Sequence, residues 1–269
     1  MLHPLIIQRM NTATTWPTKI WIAILLSCLP ALGSLAAQER PSEAGTLRVG
    51  VSPVFPPMVF KQGKELAGVE VDLARALGEK LGRKVIFVEL PWEDQIESLS
   101  AGRIDIIMSS MSITRARRYV IDFSRPYLIV GQMTLVRRED QNRYSLGFPI
   151  TPPGTVGVLK ATTGEFLVQG EFPKARRKVF GSAAEAAQAL KRKKIDLFIS
   201  DSTLVWHLAG LHAADGLTAV PLALSEEQLA WGIRKGDEKL LAAANEFIQK
   251  ASQDGTLNRI FHRWAAVAP

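Results

Sequence analysis

Cysteine is almost missing from this chain of 269 residues: Cys28 is the only one. If the N-terminal segment that carries it is removed, the remaining protein has no thiol. Disulfides, cysteine metal sites and a cysteine nucleophile are then excluded. Histidine is scarce as well. His3, His207, His212 and His262 show no metal-ligand spacing with acidic neighbours. There is no phosphate-binding loop and no dinucleotide-type glycine fingerprint. Nucleophile elbows and paired-histidine motifs are also lacking. Beyond the N-terminal region, no apolar run is long enough to span a bilayer. No cofactor, metal or catalytic residue is therefore expected.

Acidic residues are missing from the first 37 positions, which do contain Arg9 and Lys19. An apolar run follows from Ile20 to Leu32, then the small residues Ser34, Ala36 and Ala37. This order of basic, apolar and small-residue regions predicts a cleavable export signal over residues 1–37, cut after Ala36 or Ala37. Two rivals are an uncleaved anchor helix, opposed by Pro30 and the short apolar core, and lipid attachment at Cys28. Leu25-Leu26-Ser27-Cys28 weakly resembles a lipobox, but the residues after Cys28 are apolar. Cleavage removes Arg9 and Lys19, so the formal charge falls from +7 to +5. The basic clusters Lys174–Lys178 and Lys191–Lys194 lack interleaved aromatics and read as solvated faces. No nucleic-acid partner is expected.

What remains is long enough for two compact units. Residues 38–45 read as a polar linker. Leu47–Val51 predicts a strand, followed by a loop rich in proline, Ser52–Met58, with Phe55 at its centre. A helical stripe begins at Val69 and stops at Gly82. A second strand spans Val85–Leu90, with Trp92 just beyond it. A third, Ile104–Met108, is apolar except for Asp105. Alternation of strands and helices predicts parallel α/β structure. The ends of three strands then carry Phe55, Trp92 and the stretch Ser109–Arg118 to one edge, where open α/β sheets bind ligands.

That stretch presents Ser110, Ser112 and Arg117. Hydroxyls, backbone N–H groups and a guanidinium fork are the groups that hold a carboxylate. They also suit a helix start with a solvated basic face. Phe55 has two readings too: a wall of a site, or a loop aromatic folded onto the core. Leu128–Val136 is a long extended apolar run, and 148–154 is irregular. The α/β pattern then restarts with a strand at Thr155–Leu159. Thr162, Thr163 and Gly164 follow at a helix start, which suits an anion or a plain N-cap. Ile195–Ile199 reads as a strand that ends at Asp201, either an N-cap or a carboxylate for an ammonium group. Helical stripes over Leu240–Ala251 and Leu257–Trp264 face the core.

In this order the features resemble the bacterial family 3 extracellular solute-binding proteins. The resemblance is carried by the aromatic-proline loop in Leu47–Phe60 and by Gly68-Val69-Glu70-Val71-Asp72-Leu73. It is also carried by the Gly-Arg-Ile-Asp within Leu99–Met108, and by Ser112-Ile113-Thr114-Arg115-Ala116-Arg117 with Asp122-Phe123-Ser124. It covers roughly residues 46–265 and is looser in the second half, where Thr162 replaces a family glycine.

The resemblance implies a two-lobed α/β periplasmic-binding-protein fold (type II) with mainly parallel sheets and two crossover hinge strands. Lobe 1 would comprise residues 46–133 and 227–269, and lobe 2 residues 134–226. Hinge bending would fall near Ile129–Met133 and Glu226–Ala230. Arg117 would grip an α-carboxylate, helped by Ser112 and the Ser110 backbone. Asp201 would take the ammonium group, Phe55 and Trp92 would wall the side-chain pocket, and Thr163 and Gly164 would close over the carboxylate. Ser52 stands where many receptors for cationic amino acids carry an acid, which weighs against a Lys or Arg ligand. The implied protein is a monomeric periplasmic receptor that delivers an amino acid or small carboxylate to an ABC permease. Alternatives are a cyclohexadienyl dehydratase acting on prephenate or arogenate, and an accessory or sensor protein for a membrane kinase or exported oxidoreductase.

Overall fold

The chain builds two five-stranded sheets on the same plan. The computed structural model describes residues 45–145 and 154–265. The leader with Cys28, its cleavage site, most of the linker and 148–153 of the irregular segment lie outside the described residues.

The first sheet is built from β1 (Thr46–Val51) outward. A small meander follows it, made of β2 (Val54–Phe55), β3 (Val59–Gln62) and β4 (Glu65–Ala67). The loop expected at Ser52–Met58 is therefore partly strand. Helix α1 (Val69–Leu81) buries Val69, Val71, Leu73, Ala74 and Leu77 on one face and stops before Gly82. Burial of each large apolar side chain contributes about 1.5–3 kcal/mol. Next come β5 (Lys84–Glu89), a 3₁₀ turn at Trp92–Asp94, α2 (Gln95–Ser100) and β6 (Ile106–Ile107). They lead to α3 (Arg115–Val120) and β7 (Ile121–Phe123).

Two crossing strands leave this region, β8 (Leu128–Val130) and β9 (Gln132–Arg137), so Leu128–Val136 is broken at Gly131. A side chain at Gly131 would put its Cβ 2.3 Å from the Ser225 carbonyl oxygen, so only glycine lets the two segments pass. The second sheet collects α4 (Gln141–Ser145), β10 (Thr155–Leu159), α5 (Thr163–Glu171), β11 (Arg176–Phe180) and α6 (Ala183–Lys191). It continues with β12 (Leu197–Asp201), α7 (Ser202–Leu211) and β13 (Leu217–Val220). The chain returns through β14 (Glu227–Leu229) to β15 (Gly232–Arg234), α8 (Glu238–Gln253) and α9 (Thr256–Ala265).

Strand orders are β5-β1-β6-β15-β7 and β11-β10-β12-β9-β13. In each, two parallel pairs join two antiparallel ones supplied by the connecting and returning segments. Strands β8 and β14 pair with each other, antiparallel, between the sheets. The basic cluster 174–178 runs into edge strand β11, where Arg176, Arg177 and Lys178 face solvent. Charges there keep an exposed strand edge from pairing with another chain.

One device is repeated in both sheets. Asp105, the lone charge before β6, accepts the Arg48 backbone N–H (2.8 Å) and pairs with the Arg48 guanidinium (2.6 Å). In the second sheet, Asp196 accepts the Thr155 backbone N–H (2.6 Å). In each case a carboxylate just before the third strand ties down the first strand, so the acid inside an apolar run holds register rather than a ligand.

Candidate ligand-binding site

In the first lobe, three strand ends supply the site. After β1, Ser52 is buried and donates its backbone N–H to Ser109 Oγ (2.9 Å). Phe55 is buried and meets Trp92 edge-on, with centroids 5.7 Å apart and planes at 60°. Both readings of Phe55 thus describe one residue: it packs inward and still backs the Trp92 ring. After β6, Thr114 caps α3, its Oγ1 accepting the Arg117 N–H (3.2 Å). The cap sets the direction in which Arg117 leaves the helix. Arg117 then donates from Nη1 to the Ser112 carbonyl (2.9 Å), and its guanidinium carbon lies 5.2 Å from the Trp92 ring centroid. Arg117 is half-buried while Arg115 and Arg118 are exposed, which singles it out among the three.

Ser110 has φ 57 and donates its backbone N–H to Glu70 Oε1 (2.7 Å). That N–H is committed to shaping the loop and is not aimed at a ligand. Ser112, also buried, donates its hydroxyl to Glu227 Oε2 (2.6 Å).

In the second lobe, Thr162 caps α5. Its Oγ1 accepts the Glu165 N–H (3.3 Å) and donates to the Leu159 carbonyl (2.8 Å). Thr163 Oγ1 lies 3.2 Å from Gln132 Nε2. Gly164 packs so closely that an added Cβ would sit 2.6 Å from Gln132 Oε1. Asp201 occupies the N-cap position of α7 but makes no capping hydrogen bond. Its Oδ1 accepts instead from Gln132 Nε2 (2.6 Å), so its carboxylate is turned toward the site.

Two further residues organise this centre, Gln132 and Glu227, both within the implied hinge segments. Gln132 Nε2 lies within hydrogen-bond distance of Thr163, Asp201 and Glu227. With two hydrogens, it can serve two of the three at once. Glu227, on β14, accepts from Ser112, Gln132 and the Ser225 hydroxyl (2.9 Å). No motif marks either residue. The only sequence signal for Gln132 is a polar side chain at the head of a mainly apolar run; Glu227, beside Glu226 and Gln228, has none.

The charges are unequal. One guanidinium, Arg117, acts on two carboxylates, Asp201 and Glu227. Burial lowers the Arg117 pKa, and the two acids pull it back up. Burial and then repulsion from Glu227 raise Asp201 to about 7 from 3.8, against the Gln132 hydrogen bond and Arg117, which lower it. The site is short of one positive charge.

A pH dependence of stability follows. Between about pH 4 and 7 the folded protein holds a proton on Asp201 that the unfolded chain lacks. This contribution is fully present below the unfolded pKa and is lost as pH rises through 7. It amounts to about 4 kcal/mol. Denaturant unfolding at pH 4.5 and 8 should therefore show Asp201→Asn gaining on the wild type at the higher pH. An equal difference at both values would refute the assignment.

The lobes touch across the cleft. Trp92 Nε1 donates to the Ala161 carbonyl (2.9 Å), and Lys160 pairs with Glu93 (2.6 Å). Cavities lie along Trp92: one of about 300 Å³ against Phe55 and Lys160, and one of about 540 Å³ that takes in Arg117 and Thr163.

Known proteins place this architecture. A probable histidine-binding protein of Neisseria gonorrhoeae is 28% identical over 261 residues, covering 92% of this chain and 96% of that one. The L-cystine-binding protein TcyJ of Escherichia coli K12 is 29% identical over 228 residues, covering 84% and 85%. The crystal structure of AncCDT-1, an ancestral amino acid-binding protein described as a precursor of cyclohexadienyl dehydratase, superposes with a TM-score of 0.74 at 33% identity. It covers 82% of this chain and 95% of that one. The model of the bacterial extracellular solute-binding proteins, family 3, matches residues 47–267. With the type II two-lobed fold and the paired crossover strands, this match means that the chain belongs to the bacterial extracellular solute-binding proteins of family 3.

Proposed function

We propose that the protein is a periplasmic receptor that closes on an amino acid and delivers it to an ABC-type permease. The observation that carries this is a bonded chain at the cleft that joins one guanidinium to two carboxylates: Arg117 donates to the Ser112 carbonyl, the Ser112 hydroxyl donates to Glu227, and Gln132 bridges Glu227 and Asp201. A zwitterion suits that set: its carboxylate takes the guanidinium and its ammonium supplies the missing positive charge. Thr163 and Gly164 cover the carboxylate from the second lobe. The β8–β14 pair is the hinge, bending about Gly131.

The test is a thermal-shift panel of amino acids. A ligand at a hundred times its Kd adds about 2.7 kcal/mol of stability. For a chain of this size that raises Tm by about 5–10 °C. If no amino acid shifts Tm, the reading fails.

A second reading has one observation in its favour. An Asp201 carboxyl near pKa 7 could hand over a proton at neutral pH, as a dehydratase acting on prephenate would need. Turnover of prephenate that vanishes in Asp201→Asn would favour it; no turnover leaves the receptor.

A further inference from the structure

We infer that the ligand's side chain is uncharged and largely apolar, and that it lies in the cavity walled by Trp92, Ile96, Met111, Val120 and Phe166 beside Arg117. This rests on the amino-acid reading above and names the class of side chain.

The cavity of about 540 Å³ includes both Arg117 and Thr163, whereas the smaller one includes neither; Trp92 borders both and Phe55 only the smaller, so this placement departs from the pocket between Phe55 and Trp92 that the family resemblance implies. A carboxylate held by Arg117 therefore leaves the rest of the ligand next to the larger cavity. Its volume suits a small-molecule site. Its walls come from both lobes and are mostly hydrocarbon. Val120 and Phe166 remain 50% and 56% exposed, apolar surface that a ligand side chain would cover.

Charge decides the rest. The acid on this cavity's wall is Glu93, already paired with Lys160. Asp201 and Glu227 are not among its walls, and in the amino-acid reading they serve the ligand's own ammonium group. Ser52, which lines the smaller cavity, carries no charge. A Lys or Arg side chain would lose water here without gaining a free carboxylate. An Asp or Glu side chain would find Lys160 taken. Both would be penalised by desolvation, and an apolar side chain would not.

Isothermal titration of purified protein, expressed from the full-length sequence and stripped of co-purified ligand, tests this. Leu, Met, Phe and Trp are compared with Lys, Arg, Asp and Glu. The best apolar amino acid should bind at least about thirtyfold tighter than any charged one. Lys or Arg binding as tightly as the best apolar ligand overturns the inference and leaves the amino-acid reading standing. Binding of no amino acid defeats both. Val120→Glu, at a half-exposed position on the wall, should shift the preference toward Lys and Arg by at least about threefold. An unchanged preference rules out this cavity as the side-chain pocket.

Discussion

Arg117→Ala is expected to weaken amino-acid binding at least about a hundredfold, because in the proposed receptor it removes the guanidinium assigned to the ligand's carboxylate. Truncating one partner of a buried, hydrogen-bonded charge pair costs about 2–5 kcal/mol or more. The loss here has two sources. The carboxylate loses a fork already oriented by the Ser112 carbonyl and the Trp92 face. Asp201 also loses the cation that lowers its pKa, so more of it is protonated at neutral pH and less can meet an ammonium. Arg117→Lys should recover part of the affinity, since a point charge cannot take both oxygens in the same plane. Titration of wild type and variants with the best ligand gives the ratio. An affinity within threefold of wild type would remove Arg117 from the site. Amides of the same amino acids provide the control: they should bind the wild type weakly and lose little further in the variant.

Glu70→Ala should cost the fold about 4 kcal/mol or more, among the largest losses any single substitution would cause here. Glu70 is fully buried in the first turn of α1, where the helix dipole favours a carboxylate. Its Oε1 accepts from the Ser110 N–H (2.7 Å) and the Tyr127 hydroxyl (2.5 Å), and its Oε2 from Trp231 Nε1 (3.1 Å). Alanine would leave three buried donors without an acceptor, at about 1–3 kcal/mol each. Glutamine keeps one acceptor oxygen but turns an NH₂ toward one of the donors, so it should sit between the two. Urea unfolding should show a lower midpoint with an unchanged slope. A shift below about 1 kcal/mol would mean that the loop is held by other contacts. Because Ser110 is held at φ 57 through this bond, the Ser109–Ser112 loop and its ligand affinity should suffer along with stability.

Glu70 illustrates how far the chain can be read without its fold. As a letter in a motif it was visible, and its helix was legible from the spacing of Val69, Leu73 and Leu77. Its partners were not. Ser110, Tyr127 and Trp231 lie 40, 57 and 161 positions away, and no local pattern ties them to it. Asp201 is similar. The sequence places it at a strand end, where it reads either as an N-cap or as a carboxylate for an ammonium group. What separates them is a side chain turned to Gln132 instead of to its own helix. The proline-rich loop after β1 was legible as rigid, but the short strand at Val54–Phe55 depends on pairing with Val59–Phe60, a contact that composition does not report.

By itself, the sequence determined the alternation of the principal strands and helices in each half, the edge at which Phe55, Trp92 and Arg117 emerge, and the family. Each follows from local periodicity or from residues close together in the chain. The tertiary structure alone decided that Gln132 and Glu227 bring Ser112, Thr163 and Asp201 together at the candidate site. It also decided that Ser110 spends its N–H on Glu70, and that one half-buried guanidinium lies within electrostatic reach of two carboxylates. Those are matters of distance between remote segments. Charge balance and hydrogen-bond satisfaction in a buried cleft are settled by which groups meet there, not by where they lie along the chain.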